Sequence, residues 1–260
     1  MSELKLAISN IAWDKADDEA VYAAMQQNGF TGLEIAPTRI FPEYPYENLT
    51  GAALFGGYLL NRWGFHVPSM QSIWYGQTGN IFDPVQAEEL LDYTAEAFQF
   101  AHTINCPSLV FGCPKNRRLP HTAAEGDAFF AKAGALASHY DVVLAIEANP
   151  PVYTNYLNNT ADAFAMVKRL QSPGLAVNLD LSTMISNGER LRDFVDDIKY
   201  VSHVHISEPG LEPIVPRQEH KELAMLLKAV GYSGDVSIEM KRTDVETVRK
   251  TLAYIAEVFA

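Results

Sequence analysis

Short apolar runs alternate with longer stretches of helical periodicity along the chain. The apolar runs are typical of buried strands, because they are brief, rich in branched side chains and bounded by turn residues. They lie at Leu4–Asn10, Gly32–Pro37, His66–Ser72, Pro107–Cys113, Val142–Asn149, Leu175–Leu181, Val201–Ser207 and Asp235–Lys241. The stretches between them predict helices over residues 17–28, 47–63, 85–104, 121–139, 160–170, 188–197, 218–229 and 243–259.

Capping and turn residues support this alternation. Asp83 and Pro84 open the third predicted helix, and Thr160 opens the fifth. Gly64 and Gly174 fall between a helix and the next strand, where a left-handed residue commonly ends a helix. The boundaries of the predicted units therefore rest on local chemistry as well as on periodicity.

Eight strand–helix units in 260 residues predict the fold class. Consecutive strands joined by helices pair in parallel, and about 32 residues per unit is the usual size in a closed barrel. A doubly wound open sheet is the alternative, but the chain has no glycine-rich phosphate loop. We therefore predict an α/β protein with a (β/α)8 TIM barrel, in a single domain over residues 1–260.

Composition and net charge limit the classes of partner that the protein is expected to bind. Hydrophobic residues make up 48% of the chain and charged residues 20%, which is typical of a soluble globule. The net charge of −12 disfavours nucleic acid as a partner, because binding to phosphate backbones needs positive charge. The sequence shows no long apolar run and no signal pattern, and its two cysteines are too few for a disulfide scaffold. We therefore expect a cytoplasmic protein that binds no membrane.

The last four predicted strands each end in a residue type that binds metals. In a barrel of this kind the chemistry lies at the carboxyl ends of the strands. These residues are Glu147, Asp180, His205 and Glu239, and one step deeper on the same inward face lie Ala145, Asn178, His203 and Ser237. A single strand-end carboxylate is as often a helix cap or a salt-bridge partner. Three converging carboxylates, however, repel one another unless a proton or a cation is present, which favours a site for a divalent ion.

This quartet resembles the metal ligands of the xylose isomerase-like TIM-barrel superfamily, in particular the sugar phosphate isomerases/epimerases. The resemblance extends over essentially the whole chain, through GFTGLEIAPTRIF, VPSMQSIWYG and LVFGCPKNR. It implies that one divalent metal ion is bound by Glu147, Asp180, His205 and Glu239. It favours Mn²⁺, with Mg²⁺, Co²⁺ and Zn²⁺ as alternatives, and it implies a homodimer or homotetramer.

Two positions depart from the family pattern. Ketose epimerases of the superfamily usually have a histidine three residues after the aspartate of strand 6, where it helps to hold the substrate. This chain has Thr183 there. The segment HISEPGLEP after strand 7 is also unusual, and its Glu208 is a candidate for orienting a ligand or a substrate hydroxyl.

Charged residues near the predicted mouth add candidate substrate contacts. Lys115 and Arg117, in the loop after strand 4, suit a phosphate or carboxylate, or else form a solvated loop that offsets the acidic charge. Lys241 would point inward by the strand period, toward the substrate or a carboxylate. Glu34 ends strand 2 and either contacts substrate or pairs with Arg39 or a neighbouring strand.

Aromatic and amide residues predict a wall for a sugar. Trp13 follows strand 1, and Gln71, Trp74 and Tyr75 follow strand 3. Aromatic rings stack on sugar faces and glutamine binds hydroxyls, but the same residues also suit packing at the barrel rim or against a partner subunit.

The expected function is that of a divalent-metal-dependent isomerase or epimerase. It would act on a sugar or sugar phosphate by proton abstraction next to a carbonyl, through an enediolate, with Glu147 and Glu239 as the catalytic pair. A metal-dependent lyase or dehydratase would use the same site on a sugar derivative. A metal-dependent endonuclease is less consistent with seven histidines and a charge of −12, and a sugar-binding sensor would not need the metal ligands.

Overall fold

Eight parallel strands form the centre of the fold. The computed structural model describes residues 4–120 and 123–259. The strands are β1 (Lys5–Ser9), β2 (Gly32–Glu34), β3 (Ser69–Met70), β4 (Ser108–Phe111), β5 (Val143–Glu147), β6 (Leu175–Asp180), β7 (Val201–Ser207) and β8 (Asp235–Glu239). They pair in the order β2-β1-β8-β7-β6-β5-β4-β3.

Backbone contacts between the two ends of this sheet nearly close it into a barrel. The nitrogen of Leu33 donates to the carbonyl of His66 at 2.9 Å, and the nitrogen of Ile35 donates to that of Ser69 at 3.2 Å. These bonds join the region of β2 to that of β3, although β3 itself is only two residues long. The predicted (β/α)8 barrel is confirmed.

Helices follow the strands around the outside. They are α1 (Asp18–Gln27), α2 (Pro37–Ile40), α3 (Leu49–Tyr58), α4 (Pro84–Thr103), α5 (Ala123–His139), α6 (Thr160–Leu170), α7 (Leu181–Asn187), α8 (Gln218–Ala229) and α9 (Val245–Phe259). The first two residues of the fourth predicted helix, 121 and 122, lie outside the described residues. Helix α3 continues as a π-helical turn and ends at Gly64, whose φ of 73° is left-handed as predicted.

The unit after β6 differs from the sequence prediction. One helix was expected over residues 188–197, whereas α7 begins directly after β6 and a 3₁₀ helix follows over Leu191–Tyr200. The carboxylate of Asp180 caps α7, because it accepts from the backbone nitrogens of Ser182 and Thr183. Gly188, with a φ of 66°, then ends the helix.

Polar side chains replace part of the apolar core inside the barrel. A continuous cluster of buried apolar residues fills the layer between strands and helices. The following residues on the strands are also buried, although they are polar: Glu34, Ser69, Asn178, His203, His205 and Ser237. Buried polar groups of this kind need hydrogen-bond partners, which makes the interior of the barrel a candidate functional site.

Gly174 allows a close approach between β6 and α5. A Cβ atom at this position would lie 2.1 Å from the carbonyl oxygen of Gly134 and 2.8 Å from the nitrogen of Ser138, both in the backbone of α5. The left-handed residue that ends α6 is instead Gln171, with a φ of 50°. The prediction that Gly174 ends the helix in a left-handed conformation is therefore wrong, and the glycine is needed for close packing instead.

We expect Gly174→Ala to lower the free energy of unfolding by about 1–3 kcal/mol, because backbone atoms cannot move aside for the added methyl group. Gly57→Ala is the control: the nearest atom to its added Cβ is Asn61 Nδ2 at 4.0 Å. This helical substitution should stabilise the protein by about 0.5–1 kcal/mol. Urea denaturation measures both values, and equal unfolding midpoints for the two variants would contradict the close packing.

Candidate active site

Three of the four predicted metal ligands meet at the carboxyl end of the barrel. His205 Nδ1 lies 3.1 Å from Glu147 Oε2 and 3.3 Å from Glu239 Oε2. One potential ligand atom of each residue lies within 4.8 Å of the others. Two carboxylates and an imidazole form a donor set that suits a divalent cation. The residues therefore fit the metal that the sequence predicts.

Glu34 orients His205 from the opposite side of the barrel. It is fully buried, and its Oε2 lies 3.0 Å from His205 Nε2, 2.9 Å from His203 Nε2 and 2.5 Å from Ser69 Oγ. Because a carboxylate accepts, Nε2 of His205 donates, and Nδ1 is the atom that faces the two glutamates. Glu34 therefore pairs with Ser69 on the neighbouring strand β3 and with both histidines of β7, and not with Arg39, which pairs with Asp18.

Two asparagines hold the carboxylate of Glu147. Asn178 Nδ2 donates to Oε2 at 2.7 Å, and Asn149 Nδ2 donates to Oε1 at 3.0 Å. Gly112 leaves the space for this arrangement, since a Cβ there would lie 2.9 Å from Oε1. Asn178 follows from the strand period. Asn149 also falls on that period within the predicted strand Val142–Asn149, but it was not among the predicted site residues.

Asp180 is more heavily hydrogen-bonded than the other three. Besides the two backbone nitrogens that it caps, its oxygens accept from the hydroxyls of Ser182, Thr183 and Ser207. Two carboxylate oxygens offer about four acceptor positions, so all of them are used. The Thr183 hydroxyl has another acceptor, since Oγ1 also lies 2.9 Å from the carbonyl oxygen of Ala148. Asp180 is thus a helix cap beside the other ligands, and a metal ion would compete with the hydroxyls for its oxygens.

Buried negative charge dominates this end of the barrel. Burial raises the pKa of Glu239, and burial together with Glu147 raises the pKa of Asp180. Burial alone would lower the pKa of His205, but Glu34 and the glutamates at Nδ1 hold it well above its usual value. Burial would likewise raise the pKa of Glu34, yet the imidazoles outweigh it and the pKa is lowered. A divalent cation would compensate the excess carboxylate charge.

A cavity of about 250 Å³ lies over these groups. Of the four predicted ligands, His205 is fully buried, as is its partner Glu34. Glu147, Asp180 and Glu239 line the cavity. The residues that line it include Glu147, Asp180, Glu239, Thr183, Tyr153 and Pro114. We refer to it below as the carboxylate cavity.

Arg117 does not have the role that its sequence position predicts. It is fully buried; Nη1 donates to the carbonyl oxygen of Glu147 at 2.8 Å, and Nη2 donates to Asn149 Oδ1 at 2.6 Å. Burial lowers the pKa of Arg117 to about 10, so it remains a cation near neutral pH. The 3₁₀ turn Pro114–Arg117 directs this side chain inward, while Lys115 stays exposed. Arg117 therefore supports the backbone at Glu147 and is not available to an anion.

The predicted sugar wall is mostly inside the protein. Trp13 is fully buried and its Nε1 donates to Asp18 at 2.8 Å, while Trp74 and Gln71 are 3% and 4% exposed. Trp13 and Trp74 belong to the buried apolar cluster and Gln71 donates to Ser9, so these three residues pack inside the protein. Tyr75 alone fits the prediction, with 71% of its surface exposed.

Glu208 and Lys241 are engaged in ion pairs. Both oxygens of Glu208 accept from Arg217 Nε at 2.7 Å, and the residue is 3% exposed. Lys241 is exposed and pairs with Glu212. The inward direction predicted for Lys241 is wrong, because β8 ends at Glu239 and the strand alternation does not continue.

The family model for the xylose isomerase-like TIM barrel matches residues 22–258. The chain belongs to this family, as the strand-end residues indicated. None of the curated proteins matches it in sequence. No helix among the residues that the structure describes is long and apolar enough to cross a membrane.

Solved structures share the fold at low sequence identity. The 3-keto-D-glucoside 4-epimerase of E. coli, in its apo form, is 17% identical, with a TM-score of 0.78 and coverage of 98% of this chain and 100% of that one. D-Psicose 3-epimerase with D-tagatose from Clostridium cellulolyticum H10 is 16% identical, with a TM-score of 0.74 and coverage of 98% and 96%. An AP endonuclease of family 2 from Brucella melitensis is 20% identical, with a TM-score of 0.74 and coverage of 98% and 99%.

We expect Arg117→Ala to lower the free energy of unfolding by about 3 kcal/mol, because a hydrogen bond to a charged group contributes about 1.5–3 kcal/mol. Lys115→Ala removes an exposed cation from the same turn and should change it by less than about 0.5 kcal/mol. Urea denaturation followed by circular dichroism compares the two. A larger loss for Lys115→Ala than for Arg117→Ala would show that the supporting role is misassigned.

Proposed function

We propose that the protein is a divalent-metal-dependent isomerase or epimerase that acts on a sugar. One observation carries the proposal: Glu147 and Glu239 approach His205 Nδ1 at 3.1 and 3.3 Å, beneath a cavity that both glutamates line. Family membership supports it, as do structural neighbours that are named as sugar epimerases.

Glu147, His205 and Glu239 would hold the metal ion, and Asp180 would complete the set in competition with its hydroxyl partners. When bound, the ion would polarise a substrate carbonyl and the neighbouring hydroxyl, which makes the adjacent C–H bond more acidic. A donor set rich in oxygen with one imidazole suits Mn²⁺ first, and Mg²⁺, Co²⁺ and Zn²⁺ are the alternatives.

The two glutamates would move the proton. Asn178 and Asn149 fix the carboxylate of Glu147 in position, so that it removes the proton from a carbon seated in the carboxylate cavity. Glu239 approaches from another strand and also lines the cavity, so it would return the proton. Return of the proton to the opposite face of the same carbon is epimerisation. Its transfer to the neighbouring carbon is aldose–ketose isomerisation.

Cleavage of nucleic acid is less consistent with the site, although one structural neighbour is named as an AP endonuclease. The net charge of −12 disfavours binding of a nucleic-acid polyanion, which depends on clustered positive charge. At the position where the family's epimerases have a histidine, Thr183 is buried against Asp180 and offers no imidazole.

We expect Glu147→Gln to slow the exchange of sugar-bound protons with D₂O by about 10²–10⁴-fold, because the amide cannot accept the proton. Nuclear magnetic resonance follows deuterium incorporation into a panel of ketoses and aldoses, with protein that has been incubated with Mn²⁺. Glu212→Gln is the matched control, since this exposed glutamate pairs with Lys241 and does not itself line the cavity. It should exchange protons at the wild-type rate.

If Glu147→Gln exchanges sugar protons at the wild-type rate, Glu147 is not the base. A dehydrated product in place of an isomer would identify a lyase or dehydratase, which begins with the same proton abstraction.

A further inference from the structure

Two larger cavities lie beside the carboxylate cavity. One, of about 590 Å³, is lined by residues of the segments 72–78 and 113–116, and it meets the carboxylate cavity at Pro114, which lines both. The other, of about 790 Å³, shares Ser72, Tyr75 and Gln77 with the first and extends to Arg242. We call these two cavities together the outer groove. It leads from the carboxylates across the ends of β4, β3, β2 and β1.

The outer groove presents the chemistry that binds carbohydrate. Tyr44 and Tyr75 line it and are 72% and 71% exposed, so their ring faces are accessible. Gln77 and Thr38 add an amide and a hydroxyl. Exposed aromatic rings with a few polar groups are typical of a site for a ligand that has both C–H faces and hydroxyls.

The charge of the groove argues against a phosphate. Among the described residues, no acidic side chain lines either cavity, and the lining cations are Arg39, Arg242 and Lys115. Arg39 pairs with Asp18 at 2.5 Å and Arg242 pairs with Asp14 at 3.2 Å. Lys115 is the one cation of this lining with no ion pair to a described residue. A dianion would therefore find one unpaired lysine in the lining of the groove.

We infer that the outer groove binds a second, neutral sugar unit, so that the substrate is a sugar with a glycosyl substituent rather than a sugar phosphate. The reacting sugar occupies the carboxylate cavity, and the second unit lies against the exposed ring of Tyr75. This inference rests on the proposed function, because it takes the carboxylate cavity as the place of reaction.

Three ligands that differ at one position test the inference. Isomaltulose carries a glucose on O6 of fructose, fructose 6-phosphate carries a phosphate on the same oxygen, and fructose carries neither. Lactulose, which carries a galactose on O4, is included because another oxygen can bear the substituent. Isothermal titration calorimetry on protein incubated with Mn²⁺ should show at least one disaccharide binding about tenfold more tightly than fructose, a difference of about 1.4 kcal/mol. Fructose 6-phosphate should bind no more tightly than fructose.

Variants locate the second unit. Tyr75→Ala should remove the tenfold advantage and leave fructose binding unchanged, whereas Tyr75→Phe keeps the ring and should retain most of it. Tyr58→Ala is the control, because Tyr58 is an exposed tyrosine on α3 that does not line the groove.

Three results would overturn the inference: both disaccharides bind no more tightly than fructose, Tyr75→Ala keeps the advantage, or fructose 6-phosphate binds most tightly and Lys115→Ala abolishes this preference. Each of them leaves the proposed function standing if the wild type still exchanges sugar protons with D₂O. Conversely, tight disaccharide binding without any proton exchange would support the groove and count against the catalytic proposal.

Discussion

Buried carboxylates surround His205, and their negative charge must be compensated. The arrangement of residues at the mouth of the barrel depends on this constraint. Glu34 from β2 fixes one nitrogen of this imidazole, and Glu147 from β5 and Glu239 from β8 face the other. Neither β2 nor β5 is adjacent to β7 in the sheet, so the contacts of Glu34 and Glu147 depend on the curvature of the nearly closed barrel. An incompletely compensated group of acids is costly inside a protein, and a divalent cation is the partner that would balance it. The fold and the proposed chemistry are linked through this one side chain.

Residues behind the ligands keep them in place. Arg117 holds the backbone carbonyl of Glu147 and the side chain of Asn149, which in turn donates to the Glu147 carboxylate. Asp180 has two roles, because the same carboxylate caps α7 and lines the carboxylate cavity. The lining of the barrel mouth changes from acidic in the carboxylate cavity to aromatic and polar in the outer groove. The acidic cavity suits a metal ion and a polarised carbonyl, whereas the outer groove, with Tyr75, suits a neutral and hydroxyl-rich group.

Features that follow from strand periodicity were predictable from the sequence, and features that depend on loop geometry were not. The alternation of apolar runs and helices predicts the barrel, and the inward period predicts that Glu147, His205 and Glu239 converge. The direction of Lys241 depends on where β8 ends, and the burial of Arg117 depends on a 3₁₀ turn, so local spacing predicts neither correctly. The partner of Glu34 lies across the barrel, far away in sequence, and only the closed sheet shows which alternative holds.

The proposed function requires that the strand-end carboxylates and His205 bind one divalent ion. Mass spectrometry measures the metal content of purified wild type beside that of the double variant Asp180→Asn, Glu239→Gln. We expect about one divalent ion per wild-type chain and its loss from the variant. If the wild type holds no ion after incubation with Mn²⁺ and Zn²⁺, or if both proteins hold the same amount, these residues have a structural role alone.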